Sequence, residues 1–409
     1  MGTEHKTILT VNCGSSSIKL VLYTIEPLQV RIEVTATNIG QSNGKLTTRR
    51  WLEQPQIQAL RVSNEKEAIS VVLDQIENEL PSNNLEAIGH RIVHGGQSFD
   101  KPTILTLATI QLLKDLVVFD PEHMPIAISM VEALGKQFPD VTQVACFDTT
   151  FYRELPSIAR LLPLPRNLET IGLRRYGFHG LSYESLLVSF QKIAGEKAAH
   201  GRIILAHLGS GVSLTAVKDG RVLDTTMSFT PASGVPMSTR SGDLDPGIAD
   251  FLQRKTGMTL EAFNHMVHFE SGLLGVSELS PDMELLLQAA ASNPKAADAI
   301  NLFCYQVRKA IGSLTTVLNG VDSIIFAGGM GEHSSAIRDS ICEGLEYLGI
   351  NLDKQRNEAN DFLISSDNSQ VGVHVIHTDE AAVIAIQTKA VIAHNSDIGE
   401  YHGQRTPHA

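Results

Sequence analysis

The chain has 409 residues, of which 43% are hydrophobic and 19% are charged, and its formal net charge is −12. A single hydrophobic core stops growing beyond roughly 250–300 residues, so this length predicts two domains. The acidic balance argues against general binding to nucleic acids or anionic membranes, because both require a basic surface.

The cysteines and the hydrophobic runs limit the class of protein further. The four cysteines have no C-x-x-C spacing and three of them lie in apolar stretches, which indicates buried free thiols rather than a zinc site or disulfide framework. No apolar signal region follows a basic segment at the N-terminus. No stretch approaches the ~18 consecutive apolar residues of a membrane span. We therefore expect a soluble, cytoplasmic protein.

The first half of the chain alternates predicted strands and helices. In chain order these are a strand at 7–11, a returning strand after the turn at 12–17, a strand at 87–93, helices at 105–118 and 125–138, and a strand at 141–147. The last strand ends at Asp148. An acid at the carboxyl end of an apolar strand lies where open α/β sheets bind ligands, although helix capping explains it equally well.

The second half repeats this organisation. It predicts strands at 203–208, 212–217, 221–226 and 323–327, with helices at 294–318, 334–348 and 379–393. The turn at 209–211 joins two strands, as the turn at 12–17 does roughly half the chain earlier. This duplication favours two lobes of similar topology.

Two glycine-containing turns are candidate phosphate or nucleotide sites. The turn at 12–17 exposes backbone N–H groups that can hold phosphate oxygens, and Lys19 adds a positive charge. It lacks the G-x-x-x-x-G-K-[ST] pattern, so it is not a P-loop. Glycines at 328–331 follow a strand and precede a helix, where backbone can approach a nucleotide closely. A plain hairpin turn and a tight β–α turn remain open as alternatives.

Basic side chains in unusual positions suggest recognition of an anion. Arg91 lies in a strand that otherwise has the pattern of a buried core strand, where buried pairing with an acid is the simpler explanation. The segment at 174–180 combines arginines, aromatics, glycines and His179. Arg240 lies in a further Gly/Ser loop.

Three motifs carry a resemblance along nearly the whole chain. They are Asn-x-Gly-Ser-Ser-Ser-x-Lys at 12–19, Arg-Arg-Tyr-Gly-Phe-His-Gly at 174–180 and Thr-Arg-Ser-Gly-Asp-Leu-Asp-Pro-Gly at 239–247. With them the chain resembles the acetate kinase (acetokinase) family, of the superfamily of acetate and sugar kinases, heat-shock ATPases and actin. The resemblance implies an α/β fold with two ribonuclease-H-like lobes, each a mixed sheet flanked by helices, around a central cleft. It implies a first lobe of 1–150 plus about 386–409, and a second of 151–385 with the adenosine region and the dimer surface.

The family's site roles transfer to matching positions in this sequence. Catalytic roles fall on Arg91, His123, Asp148, His179 and Arg240. Binding of the acyl substrate falls on Arg91, Val93, Phe178 and Pro231. Nucleotide and phosphate binding falls on Ser15, Ser17, Lys19, His207, Gly209, Ser210, Gly211, Asp282, Gly328, Gly329 and Gly331. Metal binding falls on Asn12, Asp148 and Glu380.

The resemblance implies reversible, direct in-line transfer of the γ-phosphoryl group of ATP to acetate, with Mg²⁺ or Mn²⁺, by a cytoplasmic homodimer. A carboxylate has a pKa of about 4 and needs no general base, so Asp148 is better cast as a metal ligand. Propionate or another short-chain acid remains an alternative acceptor, because one methylene changes binding by only about 1–3 kcal/mol. An actin-like or heat-shock-like interaction protein is disfavoured, since it needs no second anion site.

Several positions depart from the family pattern. On the donor side Ser210, Glu284 and His333 replace the usual Asn, Arg and Asn, which leaves a phosphoryl donor other than ATP open. Glu122 lies beside His123 in the acyl region, where an acid is costly unless it is paired or turned away. Tyr152, Leu181 and Tyr183 depart as well.

Overall fold

The computed structural model describes residues 6–14, 17–77, 79 and 84–403, without the side chains of 395–403. The described residues contain thirteen strands: β1 Thr7–Cys13, β2 Ser17–Thr24, β3 Gln29–Thr37, β4 Lys45–Arg50, β5 Gln56–Ala59, β6 Leu85–Ile92, β7 Thr103–Ile104, β8 Thr142–Phe147, β9 Arg202–Leu208, β10 Val212–Lys218, β11 Arg221–Thr225, β12 Ser323–Ala327 and β13 Gly372–Val375.

The same residues contain fifteen α-helices: α1 Glu65–Glu77, α2 Leu107–Asp115, α3 Met124–Gln137, α4 Ser157–Arg160, α5 Gly180–Ala194, α6 Glu196–Ala199, α7 Gly247–Thr256, α8 Leu260–Phe269, α9 Gly272–Ser277, α10 Met283–Ala289, α11 Pro294–Leu318, α12 Gly328–His333, α13 Ser335–Cys342, α14 Lys354–Ala359 and α15 Glu380–Gly403. No helix in this part of the chain combines the length and the apolar character needed to cross a membrane.

The chain divides into two compact units. Unit 1 comprises Met1–Thr150 and Asp379–Ala409, and unit 2 comprises Phe151–Thr378. The second break falls at the start of α15, because this helix packs along β1, β6 and β8 of unit 1. This break between residues 378 and 379 lies a few residues before the boundary near residue 386 that the resemblance implies.

Each unit is built on a mixed sheet with the same central order. In unit 1 the order is β5-β4-β3-β2-β1-β6-β8-β7, with β1, β6 and β8 parallel and β2 antiparallel to β1. In unit 2 it is β11-β10-β9-β12-β13, with β9, β12 and β13 parallel and β10 antiparallel to β9. Both sheets thus contain the third-second-first-fourth-fifth order of a ribonuclease-H-like fold, which confirms the predicted α/β class.

Side chains along β1 point alternately to the two faces of the sheet in unit 1, and each face is covered by helices. Leu9 belongs to the core formed with α1 and α3, whereas Ile8 packs with Ala381 of α15. A Cβ atom at Gly89 of β6 would lie 2.2 Å from Oγ1 of Thr388. Glycine at this position therefore lets α15 lie directly against the sheet, with its first turn near the carboxyl ends of the parallel strands.

In unit 2, helix α5 covers one face of the sheet and α11 also packs on it. Ile203 and Leu205 of β9 belong to the core that includes Leu186 and Phe190 of α5. Helix α11 begins as predicted at Pro294, because proline has no backbone N–H to leave unsatisfied in the first turn and the side chain of Asn293 accepts from the backbone N–H groups of Lys295 and Ala296.

Other predicted helix ends are wrong. Helix α13 ends at Cys342 instead of continuing to residue 348, because Gly344 adopts φ +79° and a 3₁₀ turn follows at Glu346–Leu348. Helix α2 ends at Asp115 and passes into a 3₁₀ turn at Leu116–Phe119. Strands β3, β4 and β5 and helix α1 were not among the predicted elements, so most of the antiparallel side of the first sheet appears only in the structure.

Candidate functional site

A group of predicted site residues meets at the carboxyl ends of β1, β6 and β8 in unit 1. Because these strands are parallel neighbours, Asn12, Arg91 and Asp148 lie at the same edge of the sheet. Arg91 donates from Nη2 to Oδ2 of Asp148 at 2.7 Å and from Nη1 to Oδ1 of Asn12 at 3.0 Å. Asn12 in turn donates from Nδ2 to Oε2 of Glu380 at 2.8 Å. The structure therefore brings four predicted residues together, and we call them the Arg91 cluster.

The charges of the Arg91 cluster are mostly buried. The side chain of Arg91 is 16% exposed and that of Asp148 is 1% exposed. Burial opposes the charge of Arg91, but the carboxylates of Asp148 and Glu380 outweigh it and raise the Arg91 pKa above its usual range. Arg91 is thus paired with a buried acid, as the simpler interpretation predicted. If Arg91 also binds an anionic ligand, it does so while it remains paired with Asp148.

The oxygen donors of Asn12, Asp148 and Glu380 are the type that Mg²⁺ prefers. The described residues contain no group of three or more His, Cys, Asp or Glu side chains that could hold a metal. Two carboxylates are nevertheless enough for a Mg²⁺ ion that is also bound by phosphate oxygens and water. The donor set is therefore compatible with a metal that arrives with a nucleotide, and its binding stays a prediction.

The turn at 12–17, which is predicted to bind phosphate, is described only in part because residues 15 and 16 lie outside the described residues. Gly14 donates from its backbone N–H to the carbonyl of Ser17 at 2.8 Å, which closes the turn. Lys19 lies opposite Asn12 in the hairpin and its Nζ is 3.2 Å from Oε2 of Glu33. Ser15 lies outside the described residues. Phosphate binding by this loop stays a prediction.

His123 lies at the N-terminus of α3, where it contacts an acid that the sequence analysis missed. Its Nδ1 is 2.9 Å from Oδ1 of Asp120, whose side chain is 2% exposed. The charge of Asp120 also contributes to the raised pKa of Arg91, so His123 belongs to the surroundings of the Arg91 cluster. The three-residue spacing of Asp120 and His123 before a predicted helix could have indicated this contact from the sequence. Val93 follows β6 and is buried.

In unit 2 the glycines of two predicted loops are in contact. The strands β9 and β12 are parallel neighbours, so Gly209 and Gly328 follow them at the same edge. A Cβ atom at Gly328 would lie 2.9 Å from the backbone N of Gly209, and Gly328 has φ +75°. Glycine is therefore required at 328 by both conformation and contact. Gly331 lies nearby, with its Cβ position 3.6 Å from Cβ of Leu208.

His179 and Arg240 flank Gly211. A Cβ atom at Gly211 would lie 3.1 Å from Nε2 of His179 and 3.4 Å from Nη1 of Arg240. Arg240 also donates from Nη1 to the carbonyl of Pro231 at 3.1 Å. His179 caps α5 with φ 61°, a conformation that non-glycine residues adopt mainly where the surroundings impose it. The structure thus brings His179, Gly211, Pro231 and Arg240 together, and we call them the His179 cluster.

Three further predicted residues lie around the His179 cluster. The rings of His207 and His179 have centroids 4.4 Å apart, and Nδ1 of His207 is 2.8 Å from Oγ of Ser182. Phe178 is buried. Ser210 accepts at its carbonyl from the backbone N–H of Ser238 at 3.3 Å, which anchors the turn between β9 and β10.

The residues predicted to bind adenosine have structural explanations of their own. Asp282 caps α10 and accepts from the backbone N–H of Glu284 at 2.8 Å, and the Glu284 side chain is exposed. A Cβ atom at Gly329 would meet nothing within 4 Å, so packing does not require glycine there. Adenosine binding by Asp282 and Gly329 stays a prediction.

Two charged residues that support the 328–331 glycines were missed. Glu332 accepts at Oε1 from the backbone N–H of Gly328 at 2.9 Å, and its Oε2 is 2.7 Å from Nδ1 of His377. Burial opposes ionisation of Glu332, but these hydrogen bonds lower its pKa. The fully buried Arg338 donates from Nη1 to the carbonyl of Gly331 at 2.8 Å. Arg338 lies among the apolar positions of the predicted helix at 334–348, and this could have indicated a buried arginine from the sequence.

Comparisons with known proteins point to one family. The model of the acetokinase family matches residues 7–386. An acetate kinase of Rhodopseudomonas palustris (strain TIE-1) is 39% identical over 390 residues, covering 92% of this chain and 96% of the relative. A propionate kinase of Citrobacter rodentium is 38% identical over 387 residues, covering 93% and 96%. The crystal structure of a propionate kinase from Francisella tularensis superposes with a TM-score of 0.87 at 34% identity, covering 94% of this chain and 99% of that one.

Proposed function

Because this chain belongs to the acetokinase family, we propose that it transfers the γ-phosphoryl group of ATP reversibly to a short-chain carboxylate, with acetate as the first candidate. The products are the acyl phosphate and ADP. The observation that carries the proposal is the extent of the family match, since residues 7–386 include every position assigned a site role, from Asn12 to Glu380.

The chemistry requires two anions to be held together. The carboxylate oxygen attacks the γ-phosphorus as the bond to the β–γ bridging oxygen breaks, and no general base is needed because the acid is already ionised. Arg91 and Arg240 supply positive charges that persist at any physiological pH. In this proposal His123 and His179 face the transferred group, and Val93, Phe178 and Pro231 contact the acyl chain.

The Arg91 cluster would also hold the metal of the nucleotide. Asp148, Glu380 and Asn12 offer oxygen ligands, and a bound Mg²⁺ or Mn²⁺ would neutralise charge on the phosphates. The first loop, with Ser15, Ser17 and Lys19, and the second, with His207, Gly209, Ser210 and Gly211, are proposed to bind the phosphates. Gly328, Gly329, Gly331 and Asp282 are proposed to bind the adenosine.

Propionate is the second candidate acceptor. A propionate kinase of known structure superposes on this chain with a TM-score of 0.87. The identities to the acetate kinase of Rhodopseudomonas palustris and the propionate kinase of Citrobacter rodentium differ by one percentage point, 39% against 38%. The departures at Ser210, Glu284 and His333 make the phosphoryl donor a second variable. Acceptor and donor therefore have to be varied in the same set of measurements.

Formation of acyl hydroxamate from the purified protein tests the proposal. Acetate, propionate and butyrate are each supplied with MgATP, MgGTP or pyrophosphate, and with excess chelator. We expect acetyl hydroxamate with MgATP, its loss in chelator, and a decrease of about 10²–10³-fold in Arg240→Ala. Arg254→Ala is the matched control, because Arg254 is 80% exposed in an i,i+4 pair with Asp250. Absence of hydroxamate from all three acids would overturn the proposal.

A homodimer is proposed from a group of exposed apolar residues in unit 2, which we call the apolar surface of unit 2 although charged side chains also line its cavity. Leu244, Val276 and Leu302 are each more than a third exposed and line a cavity of about 920 Å³. Tyr305, one turn beyond Leu302 on α11, is 55% exposed. Exposed apolar patches of this kind mark interaction sites, and a second copy would cover this one. The proposed use of ATP implies a cytoplasmic location.

A further inference from the structure

Behind His179 a chain of buried hydroxyl groups runs into unit 2. Nδ1 of His179 is 2.9 Å from Oγ of Ser213, which also contacts the hydroxyl of Tyr183. Tyr183 lies one turn after His179 on α5, and Ser213 lies on the adjacent strand β10. Ser213 and Tyr183 are fully buried. Buried polar atoms have to be hydrogen-bonded, and these hydroxyl groups bond to one another and to nearby backbone groups, including the backbone N–H of His207, which donates to Tyr183.

The chain continues to two backbone carbonyls. Tyr183 also hydrogen-bonds to Thr215, whose Oγ1 is 2.9 Å from Oγ1 of Thr225 and 3.0 Å from the hydroxyl of Tyr152. The hydroxyl of Thr225 donates to the carbonyl of Leu214 at 3.1 Å. The hydroxyl of Tyr152 donates to the carbonyl of Phe178 at 2.6 Å.

These end points determine the direction of the hydrogen bonds. A carbonyl only accepts, so the protons of Thr225 and Tyr152 point at their carbonyls and the Thr215 hydroxyl has to donate to one of these two oxygens. Thr215 then accepts from Tyr183, and Tyr183 accepts from Ser213. Ser213 has then used its only proton, so it accepts from Nδ1 of His179.

Tyr183 can fill this role because it keeps its proton. Burial raises the pKa of Tyr183 above its usual range, although the hydrogen bonds with Ser213 and Thr215 oppose the shift. The hydroxyl therefore accepts from one neighbour and donates to the next at neutral pH. Position 183 is also one of the departures from the pattern that the family resemblance leads us to expect.

We propose, on the premise of the acyl kinase function above, that Tyr183 is a positioning residue that fixes His179 in the tautomer with its proton on Nδ1. Nε2, which lies near the Cβ position of Gly211 as does Nη1 of Arg240, is then the ring nitrogen without a proton and the one that gains it when the imidazolium forms. The resulting imidazolium keeps its Nδ1–H bond to Ser213, so it forms without rearrangement. The imidazolium then presents its Nε2–H group to the anionic phosphoryl oxygens.

¹⁵N NMR of histidine-labelled protein at alkaline pH, where imidazoles are neutral, reads the tautomer directly. The His179 signal is assigned by its loss in His179→Gln. We expect the proton on Nδ1 in the wild type and a shift towards Nε2–H in Tyr183→Phe, because Ser213 is then free to donate to Nδ1. Ser213→Ala should shift the tautomer in the same direction and serves if Tyr183→Phe does not fold. A wild-type Nε2–H tautomer, or variants with the wild-type spectrum, would overturn the proposal.

Kinetics test whether Tyr183 acts through His179. We expect Tyr183→Phe to lower kcat about three- to tenfold, the range for loss of one hydrogen bond, and to have no further effect in a His179→Ala background. An equal loss in both backgrounds would show a purely structural role. Tyr176→Phe is the control, because the buried Tyr176 donates to the carbonyl of Gly172 at 2.8 Å, and it should keep the His179 tautomer. If the wild type lacks acyl kinase activity, the NMR result still decides the tautomer.

Discussion

At Arg91 charge and burial coincide, which makes its replacement costly in two ways. Asp148 is 1% exposed, so Arg91→Ala leaves a buried carboxylate without its main partner. We expect a loss of about 3–5 kcal/mol in the free energy of unfolding by urea, together with loss of turnover. Arg91→Lys keeps the charge but loses the planar fork, so it should recover part of the stability while turnover stays low.

A less buried pair of unit 1 supplies the control for this prediction. Arg50 is 30% exposed and pairs with Glu79, which is also 30% exposed, so Arg50→Ala should lower stability much less than Arg91→Ala does. An Arg91→Ala protein as stable as the wild type would mean that the Asp148 carboxylate finds another partner.

His374 makes the stability of unit 2 sensitive to acid. It packs between the rings of Phe190 and Phe362, and burial lowers its pKa from 6.5 to about 4. Between these values the unfolded chain binds a proton that the folded chain does not, so stability falls as pH drops below 6.5. The cost is about 2 kcal/mol at pH 5, and His374→Phe should remove it.

Urea unfolding at pH 7 and pH 5 measures this effect. The difference between the two pH values should be smaller in His374→Phe than in the wild type. The exposed His265, replaced by Gln, should leave the difference unchanged. If the difference in unfolding free energy between pH 7 and pH 5 is the same in wild type and His374→Phe, His374 is not the group responsible. His90, whose pKa burial also lowers to about 4, should maintain part of the pH dependence in every variant.

At the scale of elements, the contact between the end of β9 and the start of α12 depends on one glycine. In Gly328→Ala the new Cβ would lie 2.8 Å from the carbonyl carbon of Leu208, and the residue would have to keep φ +75°. We therefore expect a lower thermal unfolding temperature and a higher KM for ATP, because the loop after β9 is displaced. Differential scanning calorimetry and initial-rate kinetics measure the two effects.

The neighbouring glycine is a matched control for stability. At Gly329 an added Cβ meets nothing within 4 Å, so Gly329→Ala should unfold at the wild-type temperature or slightly above it. Equal losses in the two variants would mean that glycine flexibility, rather than the contact with Leu208, is what this turn requires.

For the whole molecule, the apolar surface of unit 2 is expected to form the dimer. Leu302→Glu places a charge in the cavity that Leu244 and Val276 also line, so it should shift the protein to monomers in analytical ultracentrifugation. Ile158 is 81% exposed on α4 and does not line this cavity, and Ile158→Glu should sediment like the wild type. A Leu302→Glu protein that remains dimeric would place the interface elsewhere.

The sequence by itself determined the α/β class, the two strand–turn–strand repeats and the family. These depend on local periodicity and on motifs within about ten residues, which need no knowledge of packing. The resemblance assigned Asn12 and Glu380 to one metal site, but only the tertiary structure decided that Asn12 donates directly to Glu380, 368 residues later, at the carboxyl ends of parallel strands. It also decided the partners of Tyr183 and the role of Glu332, because strand register and helix packing select which distant side chains touch.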